Sequence, residues 1–124
     1  MSQHSKPRSV LVVDDDVIIR NMMADILDFE GYPSRLARNG LEALDVLQGE
    51  ENYLVFLDVM MPVMDGVQLC AILARETHLR HRHVIVLMSA MDKLAEVPFF
   101  QIDATMPKPF TVEDVIKVIE LYMH

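Results

Sequence analysis

Short apolar runs alternate with longer segments of helical periodicity, and this alternation constrains the fold more than any other feature. Runs such as "SVLVV", "YLVFLD" and "VIVLMSA" have the length and the β-branched content of strands. They are apolar almost throughout, which is typical of parallel strands that are covered on both faces. Strands that alternate with helices of about 10–15 residues predict βαβ units and a mostly parallel sheet.

The predicted elements follow this alternation along the chain. Strands are predicted at 9–13, 33–38, 53–58, 84–89 and 103–106, and helices at 17–30, 39–50, 66–76 and from 111 to the end. Asp16 and Gly31 are expected to cap the first helix, and Thr111 with Asp114 resembles a capping box. Pro98 allows at most a short helix between the last two strands. The segment "THLRHRH" is predicted to be a solvated, mildly basic loop.

Length and composition narrow the classes of protein. The chain has 124 residues, of which 52% are hydrophobic, and this indicates one domain with a real core. We expect a disordered polar lead over 1–8 and a single domain over 9–124. Apolar runs fall short of the roughly 20 residues of a membrane span and the amino terminus lacks an apolar signal region, so a cytoplasmic protein without a membrane partner is expected.

Charge and the single cysteine exclude further classes. The net charge is −8, and because nucleic-acid binding needs basic residues to neutralise phosphates, direct binding to nucleic acid is not expected. Cys70 lies in an apolar helical segment and is interpreted as a buried structural thiol.

Polar residues interrupt four of the apolar runs at the point where each strand ends. They are Asp14 and Asp15, Asp58, Ser89 and Lys108. The carboxyl ends of parallel strands meet at one edge, where open α/β sheets bind ligands. Three carboxylates that lie close together repel one another; a lysine and Mg²⁺, which prefers oxygen ligands, would relieve this repulsion. One carboxylate could then accept a phosphoryl group, with the lysine and the serine hydroxyl stabilising the transferred oxygens.

At this point the chain resembles the receiver domains of two-component response regulators. The motifs "VLVVDDD", "LVFLDVMMPVMDG", "VIVLMSA" and "KPF" occur in the family's order, and the similarity runs from about Ser9 to Met123. The resemblance implies a chemotaxis-regulator-like, flavodoxin-like α/β fold: one doubly wound five-stranded parallel sheet of order 2-1-3-4-5 with helices on both faces. The fourth helix is expected to be short or irregular.

The resemblance also implies a role for each site residue. Asp58 would be the phosphoacceptor, supplied by a histidine kinase or a phosphotransfer protein. Asp15 and Asp58 would bind Mg²⁺ directly and Asp14 through water, while Met60 would contribute its backbone carbonyl. The catalytic positions would be Ser89 and Lys108. A cis Lys108–Pro109 bond is expected, and Gly66 would relieve the turn into the third helix.

The chain departs from the family in the segment before Lys108. Thr105 stands where receivers usually carry a tyrosine or phenylalanine whose rotation reports phosphorylation, and Gln101-Ile102 replaces the usual "GA". The surface that receivers often use to dimerise or dock therefore differs here from the family pattern, and the expected partners beyond the phosphodonor are a second copy in a weak homodimer and an unknown downstream protein. Phe99 and Phe100 are interpreted as core residues, with a docking patch as the alternative. Met60 and Met91 beside the site predict slow loss of phosphate.

Two other functions compete with a phosphoaccepting switch that is not a dedicated enzyme. One is a degenerate receiver that serves only as a protein-binding module, for which the altered Thr105 position is the argument. The other is a haloacid-dehalogenase-like phosphatase with Asp14 as nucleophile and Asp16 as acid. That interpretation leaves Asp58 unexplained.

Overall fold

One parallel sheet organises the molecule, as the alternation of strands and helices predicts. The computed structural model describes residues 6–90, 93 and 96–123. The strands are β1 (Ser9–Val13), β2 (Ser34–Ala37), β3 (Tyr53–Asp58), β4 (Val84–Ser89) and β5 (Ala104–Pro107). Their order in the sheet is β2-β1-β3-β4-β5 and every pairing is parallel, so the predicted 2-1-3-4-5 topology is confirmed.

Helices connect the strands and cover both faces of the sheet. Within the described residues they are α1 (Val17–Phe29), α2 (Gly40–Leu47), α3 (Gly66–Arg75), the one-turn α4 (Thr77–Arg80) and α5 (Val112–Met123), with a 3₁₀ turn at Phe99–Gln101. No helix among them is long and apolar enough to cross a membrane.

The core consists of two apolar layers, one on each face of the sheet. Alternate residues of β1, β3 and β4 face α2 and α3 on one side, whereas their neighbours face α1 and α5 on the other. Phe56, at the centre of β3, has no exposed surface, and neither has Cys70 on α3. Burial raises the pKa of the Cys70 thiol to about 12, which fits an unreactive structural cysteine.

The predicted helix caps are confirmed. The Asp16 side chain accepts a hydrogen bond from the Ile18 N–H at the start of α1. Gly31 follows α1 with a φ of 83°, a conformation that glycine adopts without a Cβ penalty. At the start of α5, Thr111 Oγ1 accepts from the Asp114 N–H, and the Asp114 carboxylate accepts from the Thr111 N–H.

The prediction of a solvated loop at "THLRHRH" was wrong. Part of this segment is the helix α4, and His83 is only 1% exposed. The Arg82 guanidinium donates to the carbonyls of Gly49 and Glu51, at 2.6 and 3.0 Å. Basic side chains next to a strand can pair with backbone carbonyls instead of water, and a charge count along the sequence does not reveal such partners.

The segment before β5 differs from its predicted role as well. The side chains of Phe99 and Phe100 are 86% and 72% exposed, so the interpretation as core residues was wrong. The buried apolar side chain of this turn is Val97 instead. Met91 and most of the predicted fourth helix lie outside the described residues.

The predicted disordered lead over 1–8 falls largely on residues 1–5, which are also outside the described part. Of the remaining three residues, Pro7 is buried, and the Arg8 N–H donates to the Asn52 carbonyl at 3.1 Å.

Candidate functional site

Three carboxylates lie together at the carboxyl edge of the sheet. Asp14 and Asp15 follow β1, and Asp58 is the last residue of β3, the neighbouring strand. One oxygen from each carboxylate lies within 4.8 Å of the others. Asp14 is completely buried and Asp58 is 5% exposed, whereas Asp15 is exposed. Parallel pairing of β1 with β3 is therefore what brings these residues together.

Lys108 balances part of this negative charge. Its Nζ lies 2.8 Å from Asp14 Oδ2 and 3.5 Å from Asp58 Oδ1. Burial alone would lower the pKa of Lys108, but the hydrogen bond and charge of Asp14, together with the charge of Asp58, outweigh it and raise the pKa. Lys108 is therefore positively charged at neutral pH and is held against both buried carboxylates.

The strand register fixes Ser89 and Lys108 relative to each other. Ser89 is the last residue of β4 and lies opposite Pro107 of β5. The Lys108 N–H donates to the Ser89 carbonyl at 2.8 Å, which anchors the lysine just beyond the strand end. Ser89 is 5% exposed, and the peptide bond between Lys108 and Pro109 is cis, as predicted.

The backbone around Asp14 holds this side chain in a single orientation. Its Oδ1 accepts the Asp16 N–H at 2.9 Å, while its Oδ2 accepts Lys108. The Asp14 carbonyl also accepts a hydrogen bond from the Arg20 guanidinium at 2.7 Å. Sequence reasoning missed Arg20, although its position one turn into α1 places it beside the end of β1.

Asp58 is the carboxylate whose charge is least well compensated. Burial, and then the negative charge of Asp14, raise the pKa of Asp58 from 3.8 to about 6, although Lys108 acts in the opposite direction. Asp58 is thus ionised at pH 7 but in an unfavourable environment. A cation bound beside Asp58 would stabilise its charged form, and a carboxylate with a perturbed pKa in a cluster of polar groups is a candidate nucleophile.

The loop after Asp58 requires glycine at position 66. The Gly66 N–H donates to the Val59 carbonyl at 2.7 Å. A Cβ at this position would overlap the Asp58 carbonyl oxygen, so any other residue would displace the backbone of the site. The sequence indicated a tight turn here, but not this close approach.

The same loop contains a strained residue that the sequence did not indicate. Val63 has a φ of 70° and is 73% exposed, and the Met64 N–H donates to the Pro62 carbonyl across it. This is a γ-turn with a positive central φ, a strained conformation for a β-branched residue. A second hydrogen bond holds this loop against the start of α2, because the Gly40 N–H donates to the Met64 carbonyl at 2.7 Å.

The oxygen donors at this edge suit a hard divalent cation. The carboxylates of Asp14, Asp15 and Asp58 are close enough to share one ion, and Mg²⁺ prefers carboxylate, carbonyl and water oxygens. A thioether sulfur is a soft ligand that does not suit Mg²⁺, so Met60 could take part only through its backbone carbonyl. The donor set therefore fits the predicted ion.

Asp16 is not placed as the acid of a phosphatase that uses Asp14. Its carboxylate caps α1 by accepting the Ile18 N–H at 2.9 Å. The two Asp14 oxygens are already engaged with Lys108 and the Asp16 backbone. The phosphatase interpretation gains no support from this arrangement.

Comparisons with known proteins show which family the chain is similar to. Residues 10–120 match the family model described as "Response regulator receiver domain". The "Response regulator MprA" of Mycobacterium sp. (strain KMS) is 38% identical over 113 residues, which are 89% of this chain and 48% of that protein. The chain thus spans about half the length of the curated relatives that it matches.

Solved structures show the same fold. A CheY-like response regulator receiver domain protein from Methanospirillum hungatei JF-1 aligns with a TM-score of 0.83 and 26% identity, over 98% of this chain and 95% of that one. The receiver domain of Ssk1, crystallised with the Saccharomyces cerevisiae histidine phosphotransfer protein Ypd1, aligns with a TM-score of 0.84 over 94% and 89% of the two chains. At 20% identity this second likeness concerns the fold alone.

Proposed function

The chain belongs to the response regulator receiver family, and on that premise we propose that Asp58 accepts a phosphoryl group from a histidine kinase or a phosphotransfer protein. The choice of Asp58 over the other two carboxylates rests on one observation. Asp58 is a nearly buried carboxylate, 3.5 Å from the Lys108 ammonium and grouped with two further carboxylates. Asp14 is held by two hydrogen bonds, and Asp15 is exposed.

Each site residue has its own role in the proposed phosphoryl transfer. An Asp58 oxygen attacks phosphorus, the bond from phosphorus to the donor's imidazole nitrogen breaks, and the electron pair leaves with the imidazole. Lys108 and the Ser89 hydroxyl would donate hydrogen bonds to the phosphoryl oxygens. When held by Asp14, Asp15, Asp58 and the Met60 carbonyl, Mg²⁺ would supply the positive charge that phosphoryl transfer needs.

The proposed partners follow from the same function. In the complex that includes the Ssk1 receiver domain, the partner is a histidine phosphotransfer protein. A donor of that class fits an acceptor at the carboxyl end of a strand. The net charge of −8 argues against direct contact with nucleic acid. We propose a cytoplasmic switch that is not a dedicated enzyme and acts on a downstream protein.

The test is phosphorylation by a small donor, followed by intact mass. Wild type incubated with Mg²⁺ and acetyl phosphate should gain one phosphoryl adduct, and Asp58→Asn should gain none. Asp45→Asn, at an exposed position of α2, is the matched control and should behave as wild type.

Two other outcomes would overturn the proposal. If wild type gains no adduct, the degenerate receiver becomes the better explanation, and the exposed Thr105 is its starting point. If the adduct survives in Asp58→Asn, peptide mapping should find it on Asp14, and the phosphatase interpretation reopens.

A further inference from the structure

An open cleft adjoins the carboxylate site on its solvent side. Asp15 and Met60, two of the proposed site residues, line it together with Lys93 and Glu96. The remainder of the lining comes from the loop after β3. Of the charged residues that line this cleft in the described part of the chain, Lys93 is the one cation, because the others are Asp15, Asp65 and Glu96.

The direction of phosphoryl transfer assigns a use to this cleft. In such transfers the attacking and leaving atoms lie roughly in line, on opposite sides of phosphorus. Asp58 attacks from the strand end, where the buried Asp14 and the half-buried Lys108 lie beside it. The leaving group must therefore depart towards solvent, and the cleft beside Asp15 and Met60 lies on that side.

The charges around the cleft make departure of an anion unfavourable unless a cation is present. Among the described residues, the carboxylates of Asp14, Asp15 and Asp58 are accompanied by one half-buried lysine, Lys108. A leaving carboxylate would enter a region that also holds Asp65 and Glu96. Positive charge on the cleft wall would offset this repulsion, whereas a neutral leaving group would not need it.

Resting on the function proposed above, we propose that this cleft receives the leaving group of small acyl phosphates and that Lys93 favours donors whose leaving group is an anion. With acetyl phosphate, the Asp58 oxygen forms a bond to phosphorus. The bond from phosphorus to the acyl oxygen breaks, and acetate departs with the electron pair. Lys93 is then a specificity-determining residue, distinct from Lys108, which lies against the attacking carboxylate.

The pairing of Lys93 leaves it available for this role. Its Nζ lies 3.5 Å from Glu96 Oε2, and the two side chains are 39% and 47% exposed. An exposed ion pair of this length is weak and exchanges readily with solvent. Glu96 therefore competes with the leaving anion for Lys93 without immobilising it.

Two phosphodonors that differ in the charge of their leaving group test the proposal. Acetyl phosphate releases acetate, whereas phosphoramidate releases ammonia. Rates of adduct formation on Asp58 are followed by intact mass, because the chain has no tryptophan to report phosphorylation by fluorescence. In Lys93→Gln the rate with acetyl phosphate should fall about threefold to fivefold, the size expected for one exposed charge contact, while the rate with phosphoramidate stays unchanged.

Further variants separate this role from a structural one. Lys93→Arg should keep the wild-type ratio between the two donors, and Glu96→Gln should increase the rate with acetyl phosphate. Lys117→Gln removes an exposed lysine of α5 outside the cleft lining and should leave both rates as they are. High salt should diminish the Lys93→Gln effect, because exposed charges are screened.

The outcomes are distinguishable from those for the proposed function. If Lys93→Gln slows both donors equally, or slows neither, this inference is wrong although Asp58 still accepts phosphate. If wild type reacts with neither donor, the proposed function and the inference fail together.

Discussion

At the scale of single residues, the buried charge of Asp58 lowers the stability of the protein at neutral pH. In the metal-free protein, burial and Asp14 hold the pKa of Asp58 near 6, above its usual 3.8. The folded state therefore binds this proton more tightly than the unfolded chain does. Stability falls as the pH rises from about 4 to 6, and the full cost remains above pH 6.

Asp58→Asn should consequently stabilise the metal-free protein at neutral pH. Without the buried charge, the free energy of unfolding in EDTA should rise by about 1–3 kcal/mol at pH 7 and change little at pH 4. Urea unfolding at both pH values measures this difference. Asp45→Asn removes an exposed carboxylate of α2 and should show no such gain; an equal gain in both variants would contradict the explanation.

A second effect on stability comes from Val63 in the loop after β3. Val63→Gly should raise the free energy of unfolding by about 0.5–1 kcal/mol, because relief of the positive φ outweighs the extra entropy of glycine in the unfolded chain. Thermal unfolding measures the change. Val17→Gly is the matched control, since Val17 is also exposed but begins α1; it should destabilise the protein.

The sequence predicted the site's residue types better than its local geometry. Strand-end positions alone brought Asp14, Asp58 and Ser89 to one edge, because a parallel sheet leaves few other arrangements. The positive φ of Val63 was not predictable, because it results from the hydrogen bonds that Met64 forms with Pro62 and Gly40. Such a conformation arises from loop closure and not from the propensity of valine.

At the scale of elements, the basic segment after α3 connects the amino ends of the strands. Arg80 donates to the His83 and Gln101 carbonyls and pairs with Asp103 at 2.8 Å, and Asp103 in turn accepts the Ile85 N–H. These contacts hold the entry to β4 against the entry to β5. They lie at the opposite end of the strands from the carboxylate site.

His83 is the acid-sensitive part of this connection. Its Nδ1 accepts the Tyr53 N–H at 3.1 Å, so Nε2 carries the proton and donates to the Leu47 carbonyl at 3.0 Å. A proton on Nδ1 would point at the Tyr53 N–H, which is itself a donor, so protonation of the ring would break this hydrogen bond. Burial, outweighing the Leu47 hydrogen bond and assisted by nearby arginines, lowers the pKa of His83 from 6.5 to about 4.

The stabilising effect of neutral His83 should therefore be complete above about pH 6.5 and disappear as the pH falls to 4. The unfolded chain takes up the proton in this range and the folded state does not, so the loss should be about 2–3 kcal/mol. Unfolding is best measured in an Asp58→Asn background, because Asp58 has the opposite pH dependence. His83→Gln should lack this component, and His78→Gln, which is exposed, should retain it; a retained component in both would disprove the assignment.

At the scale of the whole molecule, the alternation of strands and helices was sufficient to predict a parallel sheet and the edge that carries the site, while the resemblance to receiver domains implied the strand order. It could not predict which polar side chains become buried, because that depends on partners far away along the chain. His83 and Leu47 are an example, 36 positions apart. The exposure of Phe99 and Phe100 was not predictable either, because the neighbouring Val97 is the buried apolar residue of this segment.

Mg²⁺ should couple the site to the stability of the entire domain. An ion that binds only the folded state stabilises it by mass action, by about 2.7 kcal/mol at a concentration 100 times the dissociation constant. The melting temperature of wild type should therefore rise with Mg²⁺ relative to EDTA. Asp15→Asn should lose most of this rise without a large change in EDTA, because Asp15 is exposed.

The rise in melting temperature should also shrink below about pH 6, where a proton on Asp58 competes with the ion. Asp45→Asn should keep the full effect, and an unchanged rise in Asp15→Asn would show that Mg²⁺ binds elsewhere.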